Sequence, residues 1–447
     1  MSRGVLPPVE LLVLQNARAF DPGRGLDQQV DAVLERGVLT RLGPGAGRSL
    51  SDAARARVID ASGHWLLPGF IDLRAHLGEP GLEYKEDLAS GLGAAAAGGF
   101  TQVCCTPDTD PVNDQPVVTD WLRQRAASVS PVRLRPIAAA TQRLEGQLLT
   151  EMGALREAGA VAVGDANHCI SSAAVLRRVL EYARDFELPV FQHAQEPTLS
   201  QGTDMNDGAV ATRLGLRGAP SVAEDGMVAR DVLIAEYTGG RYHASLVSTA
   251  RSLDAIRQAK QRGAKVSCAA GIHHLLFSEE ALESYDSNLK LVPPLRHAKD
   301  LLALREGLAE GVIDAVVSDH RPQSTLQKDC EFGEAEPGAV GLGVCFGLLL
   351  SLVLEGRLSL ARAVSALTVG PASVLGLPAP SLALGEPADL VLVAPEQRWL
   401  VDASSLRSKS RNSPLLGRSL PGRIELTLAQ GRVAFDRFAE PAATRRS

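Results

Sequence analysis

Long apolar runs are absent from the sequence. The most apolar stretch, GLLLSLVL at 347–354, is far shorter than the roughly 20 residues that a membrane-spanning helix needs. The N-terminal segment MSRGVLPPVELLVLQ also lacks the extended apolar core of a secretory signal peptide. We therefore expect a cytoplasmic protein that has no membrane partner.

A surplus of positive charge is also absent. The chain has 46 lysines and arginines against 52 aspartates and glutamates, which gives a formal net charge of -6. Nucleic-acid binding depends on clustered positive charge that faces the phosphates, and no basic cluster dominates this sequence. We expect no nucleic-acid partner.

Cysteine is sparse. The six cysteines are spaced like neither a zinc ribbon nor a disulfide framework. Most lie in apolar runs such as TQVCCT and GVCFGLLL, which predicts buried free thiols in a reducing compartment. Cys104 and Cys105 have no histidine partner nearby in sequence, so we interpret them as core residues rather than nucleophiles.

Two β-rich ends flank a different middle. Residues 1–64 contain short apolar segments separated by turn residues, and residues 379–447 show the same pattern, as in ADLVLVA and RIELTLAQGRVAF. We predict one small composite β-sandwich domain built from both terminal segments. A larger domain at 65–378 lies between them in sequence.

The middle segment alternates apolar runs with helical stretches such as 172–186 and 252–263. Eight runs are apolar enough to be buried on both faces, as parallel strands must be. They are GFIDLRAH, TQVCCTP, LRPIAAAT, AVAVGD, PVFQHA, YHASLVST, KVSCAA and DAVVSDH. Eight β-α units predict an α/β fold of the (β/α)8, TIM-like barrel class.

Polar residues gather at the carboxyl ends of these predicted strands. Active sites of this barrel class are built at that rim, so the clustering predicts a site there. The rim residues are His76 on the first strand, Asp165 on the fourth, His193 on the fifth, Ser245 in the sixth, and Asp319 and His320 on the eighth.

Motifs along nearly the whole chain resemble the dihydroorotase branch of the amidohydrolase superfamily. The longest is LLPGFIDLRAHLGEPGLEYKEDLASGLGAAAAGGFTQVCCTPDTDPV, and others include LPVFQHAQE, GGRYHASLVST, LKLVPPLR and GVIDAVVSDHRP. The resemblance implies a hydrolase of pyrimidine biosynthesis that uses one or two zinc ions to make a hydroxide and to polarise a ring amide. It also implies that the aspartate of strand eight binds metal and moves the proton.

The chain departs from this family at its metal ligands. The family carries H-x-H on the first strand, where this chain has Arg74 and then His76. Ser245 stands where the resemblance implies a second histidine on strand six, and Gln323 replaces the last histidine of D-H-A-P-H. A guanidinium has no lone pair to give, and a hydroxyl is a poor zinc ligand beside imidazole.

The chain also departs from the family at the fourth strand and at the residues that bind the substrate carboxylate. The pattern S-D-D-G reads GDAN here, with Asp165 kept and Ala166 after it, and which acid of the family bridges the metals stays open. The arginine of H-L-R-E-P-G is Gly78, which removes a two-pronged grip on a substrate carboxylate. Asp108 replaces an asparagine that also binds this carboxylate, and it brings a negative charge. Val292 replaces the asparagine of the N-P-P-L-R motif.

We therefore expect no metal and no other cofactor. The alternative is one zinc ion held by His76, His193 and Asp319, with Asp319 as the catalytic group. An unpaired buried charge is costly, so we expect Arg74 to fill the vacated metal position and to pair with Asp319.

Three further histidines have less favoured roles as ligands. His168 follows strand four and is the most plausible extra ligand, although a loop histidine is more often solvated. His273 and His274 in GIHHLLF are interpreted as scaffold residues.

These losses predict a non-catalytic dihydroorotase-like protein. The resemblance implies a specific role, because inactive dihydroorotase homologues assemble with aspartate carbamoyltransferase and support its fold or activity. We expect this chain to be such a partner, and to form a homo-oligomer. Two alternatives stay open: an active zinc-dependent cyclic amidohydrolase with a mononuclear site, acting on dihydroorotate or a related ureide or hydantoin ring, and a sensor that binds a metabolite in the old pocket.

Overall fold

The computed structural model describes residues 7–47 and 56–440. Parts of the predicted terminal segments 1–64 and 379–447 therefore lie outside the described residues. The strands, in chain order, are β1 (Leu11–Asp21), β2 (Leu26–Glu35), β3 (Val38–Gly43), β4 (Arg57–Asp60), β5 (Trp65–Pro68), β6 (Phe70–Ala75), β7 (Phe100–Cys105), β8 (Arg133–Ala138), β9 (Ala162–Gly164), β10 (Val190–Gln192), β11 (Met205–Asn206), β12 (Gly218–Ala219), β13 (Tyr242–Ala244), β14 (Val266–Gly271), β15 (Ala315–Val317), β16 (Leu390–Ala394), β17 (Trp399–Leu400), β18 (Ser419–Leu420), β19 (Arg423–Ala429) and β20 (Arg432–Asp436).

Helices follow most strands of the middle segment. They are α1 (Leu88–Ala97), α2 (Pro116–Val129), α3 (Met152–Ala158), α4 (Ala173–Asp185), α5 (Pro197–Ser200), α6 (Ala209–Leu214), α7 (Val222–Thr238), α8 (Ala250–Gln261), α9 (Ala298–Glu310), α10 (Thr325–Lys328), α11 (Cys345–Leu354), α12 (Leu360–Ser365) and α13 (Val369–Leu375). None of the described helices has the length and apolarity that crossing a membrane requires.

The middle segment forms the predicted barrel. Its eight strands are parallel and lie in the order β6, β7, β8, β9, β10, β13, β14, β15, so each of the eight predicted strands is confirmed. The ring is nearly closed between its first and last strands, where Ala75 forms a bridge with His320. The His76 amide donates to the His320 carbonyl at 2.8 Å, which holds the two rim segments together.

Alternation along the strands builds two apolar layers. Val103 and Val190 belong to the large cluster between the strands and the helices. Their neighbours Cys104 and Phe191 belong to a separate cluster drawn from strands around the barrel and from α13. Successive strand residues point to opposite faces, so this second cluster is the barrel interior.

Both terminal segments form one composite domain, as predicted. Its strands make a single mixed sheet in the order β20, β19, β16, β5, β1, β2, β3, with β4 paired to β1. Strand β5 joins the two segments, since it pairs in parallel with β1 and antiparallel with β16. The predicted boundary at residue 64 falls just before this strand.

The thiols are free, as predicted, but not all are buried. Cys104, Cys105, Cys268 and Cys345 are buried, and burial raises the pKa of Cys105 to about 12. Cys169 is half-buried and Cys330 is exposed, which corrects the prediction for these two. Cys330 lies in the polar segment QKDCEFGE after α10, where no apolar run covers it.

Candidate functional site at the barrel mouth

The carboxyl ends of β6 and β15 bring Arg74 and Asp319 together. Arg74 Nε donates to Asp319 Oδ1 at 3.0 Å, and the two side chains are only 4% and 7% exposed. Arg74 Nη2 also donates to Asn167 Oδ1, in the loop after β9. The predicted pairing of Arg74 with Asp319 is confirmed.

His76 lies at the same rim but faces a different group. Its Nδ1 is 2.9 Å from Asp108 Oδ2 and 3.0 Å from Thr106 Oγ1. Burial of Asp108 favours its neutral form, but interactions with His76 and with Arg321 outweigh that effect and hold the pKa of this carboxyl well below its ordinary value. His76 is therefore paired with a charged acid of the β7 loop.

Asp165 is fully committed to the neighbouring loop. Its Oδ1 accepts from the amides of Ala140 and Thr141, each at 2.9 Å, and its Oδ2 accepts from the Thr141 hydroxyl. Burial nevertheless raises the pKa of this carboxyl above its ordinary value. The residue holds the loops after β8 and β9 together, and three hydrogen bonds already engage both of its oxygens.

His193 follows β10 and lines a large cavity of about 1010 Å³. It is 3% exposed, and its Nδ1 has no hydrogen-bond partner in the described ranges 7–47 and 56–440. Burial, together with the charges of Arg74 and Arg321, lowers the pKa of His193 well below its ordinary value. His168 and Asn167 line the same cavity, so the structure places His168 beside His193 as the sequence suggested.

Ser245 and His320 are buried but occupy structural positions. The Ser245 amide donates to the Gln192 carbonyl at 3.0 Å, which continues the strand pairing of β13, and the next residue, Leu246, belongs to the barrel interior. His320 Nε2 is 3.4 Å from Glu86 Oε2, and His320 Nδ1 accepts from the Gly341 amide at 3.3 Å.

His273 and His274 lie in the short 3-10 helix Ile272–Leu275 that directly follows β14. Both are buried, and His274 Nε2 donates to the Pro293 carbonyl at 2.9 Å. Burial lowers the pKa of His273 to about 4, so this ring is neutral. These contacts agree with the scaffold role predicted for the pair.

The position of Gly78 excludes any side chain. The residue has φ +69°, in the left-handed region that favours glycine. A Cβ built there would overlap the Glu86 carbonyl oxygen and would lie 2.8 Å from the Leu82 carbonyl oxygen. In the observed path of the loop between β6 and α1, no side chain fits at position 78, where the resemblance implied an arginine.

The donor groups at this mouth do not fit a zinc pair. Three of the candidate ligands already have a protein partner. Asp319 is paired with Arg74, and His76 is paired with Asp108. Asp165 accepts hydrogen bonds from the Thr141 hydroxyl and from two backbone amides. A metal site needs at least three ligand atoms close together. Within the described residues, one group of histidine, cysteine or acidic side chains has three such atoms within 4.8 Å of one another: Glu279, Glu280 and His297. His76, His193 and Asp319 do not form such a group.

The sequence reasoning missed three residues of this region. Asn167 was not singled out in GDAN, although its amide oxygen holds Arg74. Arg321 follows Asp319 and His320 directly in DHRP, and a permanent cation inside that motif was a readable signal. Lys85, in the loop before α1, lines a small cavity together with His76 and Asp108, and nothing in its sequence neighbourhood pointed to the site.

Comparison with known proteins gives close relatives over the full length. A family model described as dihydro-orotase-like matches residues 63–252. A protein of Syntrophotalea carbinolica named dihydroorotase is 43% identical over 95% of this chain and 99% of its own length. Another of that name from Syntrophobacter fumaroxidans is 42% identical over 98% of this chain and 100% of its own.

Solved structures share the fold. An L-hydantoinase (dihydropyrimidinase) from Arthrobacter aurescens superposes with a TM-score of 0.84 at 24% identity, covering 95% of this chain and 96% of its own. A D-hydantoinase (dihydropyrimidinase) from Thermus sp. gives 0.79 at 24% identity, with 95% of both chains covered. The barrel with its composite sheet is therefore a known architecture.

Proposed function

The chain belongs to the dihydroorotase-like family of amidohydrolases, and from that premise we propose that it is a non-catalytic member that acts as a structural partner of aspartate carbamoyltransferase in pyrimidine biosynthesis. Relatives named dihydroorotase support the pathway. The non-catalytic role is supported by the chemistry of the barrel mouth.

The ion pair between Arg74 and Asp319 carries the proposal. Asp319 is the acid that the family uses for metal binding and proton transfer, and here a guanidinium lies 3.0 Å from it. Arginine stays protonated in proteins, so the pair cannot release the carboxylate by losing a proton. A positive charge fixed at that distance also repels an incoming zinc ion.

The lack of space for a side chain at Gly78 supports the same conclusion independently. An arginine introduced there would clash with backbone atoms of Leu82 and Glu86, so the lost clamp cannot be restored by a single substitution. The Asp108 carboxylate next to it repels a substrate carboxylate. A chain that has lost both the metal ligands and the residues that bind the substrate carboxylate fits a role in which its surface binds a partner protein.

The first experiment measures zinc content and interconversion of carbamoyl aspartate and dihydroorotate in the purified full-length chain. We expect well under one zinc per chain and no turnover, with or without added zinc. The Syntrophotalea carbinolica relative, assayed alongside, is the comparator. Stoichiometric zinc with turnover in this chain would overturn the non-catalytic role.

A variant separates metal exclusion from substrate loss. Arg74→His removes the cation and adds an imidazole at the family's ligand position, so we expect more bound zinc than in the wild type but still no turnover. Arg178→His, on the exposed face of α4, controls for zinc binding by an added histidine. Equal zinc content in both variants would show that Arg74 is not what excludes the metal.

The partnership has its own test. Affinity purification of the tagged chain from its native cell is expected to recover aspartate carbamoyltransferase in one discrete large complex, as judged by gel filtration and mass measurement. Recovery of the chain alone, under conditions where aspartate carbamoyltransferase is present in the lysate, contradicts the partnership and leaves the catalytic question to the zinc and turnover assays.

A further inference from the structure

The outward face of α7 is apolar along its whole length. This helix lies on the outside of the barrel, packed between α4 and α8. Its exposed residues, all within the described chain, recur every three or four positions, so they fall on one stripe of the helix surface, and none of them is charged. They are Val222, Gly226, Ala229, Leu233 and Tyr237, and we call them the outer stripe. Val222, Leu233 and Tyr237 are 53%, 61% and 74% exposed.

The acidic residues of this helix point inward instead. Glu224 and Asp231 are 1% and 0% exposed. Glu224 Oε1 accepts from the amides of Ser248 and Thr249 at 2.8 and 3.2 Å, and Asp231 Oδ2 accepts from the Tyr242 hydroxyl at 3.2 Å. An outer helix ordinarily turns its charged residues to water and its apolar residues to the core. On α7 these acids are satisfied inside, and water faces an apolar stripe.

The neighbouring helix α8 shows the ordinary pattern. Its exposed residues are polar or charged: Arg251, Asp254, Gln258 and Gln261. The apolar outer stripe is therefore a property of α7 and not of every helix around the barrel. Apolar side chains scattered singly over a surface are ordinary, whereas a contiguous exposed apolar face marks a binding surface.

The order of side-chain sizes along the outer stripe fits a second copy of the same helix. Val222 and Tyr237 lie equally far from the midpoint of the stripe, which falls beside Ala229, and so do Gly226 and Leu233. If two copies run antiparallel about a twofold axis at that midpoint, Leu233 of one copy faces Gly226 of the other. A large side chain opposite a glycine lets two helices pack closely, and a twofold interface requires this kind of self-complementary surface.

The two ends of the outer stripe fit each other in the same arrangement. A groove of about 340 Å³ lies beside Leu233 and Tyr237, with Ala173 and Arg177 of α4 on its other side. Val222 of the second copy faces Tyr237 and would enter this groove. Because the stripe carries no charge, no like charges meet, and the antiparallel alignment brings helix ends of opposite dipole sign together.

The available area also suits a stable dimer. Helix α7 has 17 residues and is therefore about 26 Å long. Packed helices lie roughly 10 Å apart, so α4, α7 and α8 together present a face of about 26 by 30 Å. That face is close to the ~800 Å² that each partner contributes to a standard protein interface.

We propose that the outer stripe is the contact surface between two copies of this chain, which pair α7 against α7 in antiparallel orientation about a twofold axis beside Ala229. The dimer does not rest on the partnership with aspartate carbamoyltransferase, because the chain alone forms it.

The main test is the mass of the purified full-length chain in solution, measured by sedimentation. We expect a dimer at micromolar chain concentrations. Leu233→Arg places a charge inside the interface twice per dimer, and one central substitution alone weakens binding roughly tenfold or more, so we expect the dissociation constant to rise at least about 100-fold. A monomeric wild type, or a folded Leu233→Arg chain that dimerises like the wild type, overturns the proposal.

A matched variant controls for the added charge. Leu354→Arg changes a leucine that is 62% exposed at the end of α11, against 61% for Leu233, and it should leave the dimer intact. Tyr237→Asp is a second interface variant and should also dissociate the dimer. Thermal unfolding checks that each variant is folded. Dissociation by Leu354→Arg to the same degree would show that the effect is not specific to α7, and the proposal would be wrong.

Cross-linking tests the antiparallel arrangement itself. Ala229→Cys places one thiol of each copy next to the axis, so oxidation with diamide should link two chains, as judged on a non-reducing gel. Ala309→Cys, at an exposed position of α9, is the matched control, and the wild type reports any linkage through the exposed Cys330. Equal linkage in the two variants contradicts an axis beside Ala229.

A different occupant of the outer stripe gives a different result. If aspartate carbamoyltransferase covered it, the purified chain would be a monomer, and Leu233→Arg would abolish recovery of that enzyme from the native cell. This pair of results overturns the dimer. A purified dimer that Leu233→Arg dissociates supports it, whether or not aspartate carbamoyltransferase is recovered, so the two proposals fail separately.

Discussion

The barrel interior and the barrel mouth are buried to a similar extent, but the interior is filled with apolar side chains and the mouth with a pair of charged ones. In the interior, Ile71, Leu73 and Val317 are at most 1% exposed and belong to one apolar cluster. At the mouth, Arg74 and Asp319 are 3% and 6% exposed and are charged. Leu73 directly precedes Arg74, and Val317 lies two positions before Asp319, so along each strand apolar packing gives way to the ion pair within one or two residues.

The two regions should differ in how much stability a single substitution removes. Apolar packing is spread over many weak contacts, so losing one methyl group is felt locally and modestly. A buried charge has one or two partners, and removing a partner leaves a charge that water cannot reach. A single substitution at the mouth should therefore cost more stability than a single substitution in the interior.

The largest effect is expected from removing one partner of the ion pair. Asp319→Ala leaves the Arg74 guanidinium buried without a countercharge, and we expect the free energy of unfolding to fall by about 3–5 kcal/mol. Urea denaturation of wild type and variant measures it. Asp329→Ala, an exposed position after α10, should change stability by less than about 0.5 kcal/mol.

A double variant shows whether the loss comes from the uncompensated charge. Arg74→Met with Asp319→Ala removes both charges, and the chain should be more stable than with Asp319→Ala alone, since an apolar replacement leaves nothing to solvate. A double variant that is less stable than the single one would mean that the mouth depends on packing rather than on charge pairing.

A buried acid outside the mouth sharpens the comparison. Asp231 on α7 is 0% exposed, accepts from the Tyr242 hydroxyl at 3.2 Å, and has its pKa raised by burial to about 6. A raised carboxyl pKa favours the protonated folded state, so this contribution is fully present below the unfolded value near 4 and is lost as pH rises through about 6. The loss amounts to about 3 kcal/mol at ~1.4 kcal/mol per unit.

Stability measured between pH 4 and pH 7 in wild type and Asp231→Asn tests that contribution. The variant cannot ionise at this position, so its stability should fall less over this interval than that of the wild type. Parallel pH curves for the two proteins would show that Asp231 is already charged in the folded state, and this prediction would be wrong.

The smallest effect is expected in the barrel interior. Ile71→Val removes one methylene group from the apolar cluster, and we expect a loss of about 0.5–1.5 kcal/mol. Because no charge is involved, the loss should be the same at pH 5 and pH 8 in denaturation curves. A loss as large as that of Asp319→Ala would show that the interior is as intolerant as the mouth.

Much of the fold could be predicted from the sequence because burial on two faces leaves a strong signal. Each barrel strand reads as an apolar run, and all eight runs became strands. The pair of Arg74 and Asp319 was predictable because a permanent cation had replaced a ligand beside an acid that would otherwise be unpaired.

Other contacts could not be predicted because they depend on which loops meet. The partner of His76 is Asp108, three loop positions past β7, and the fit of Gly78 under the carbonyl of Glu86 depends on the path of one loop. Neither is fixed by periodicity or composition. Cys330 shows the same limit, since its exposure depends on a surface segment without a regular pattern.

The pairing of β5 with both β1 and β16 has a consequence for synthesis of the chain. Strand β16 starts at Leu390, so one edge of β5 stays unpaired until more than three hundred residues after it have left the ribosome. Exposed strand edges recruit other chains, and the nascent N-terminal strands are open to such association throughout that interval. The barrel, completed first, brings the late strands back to the early ones and ends that exposure.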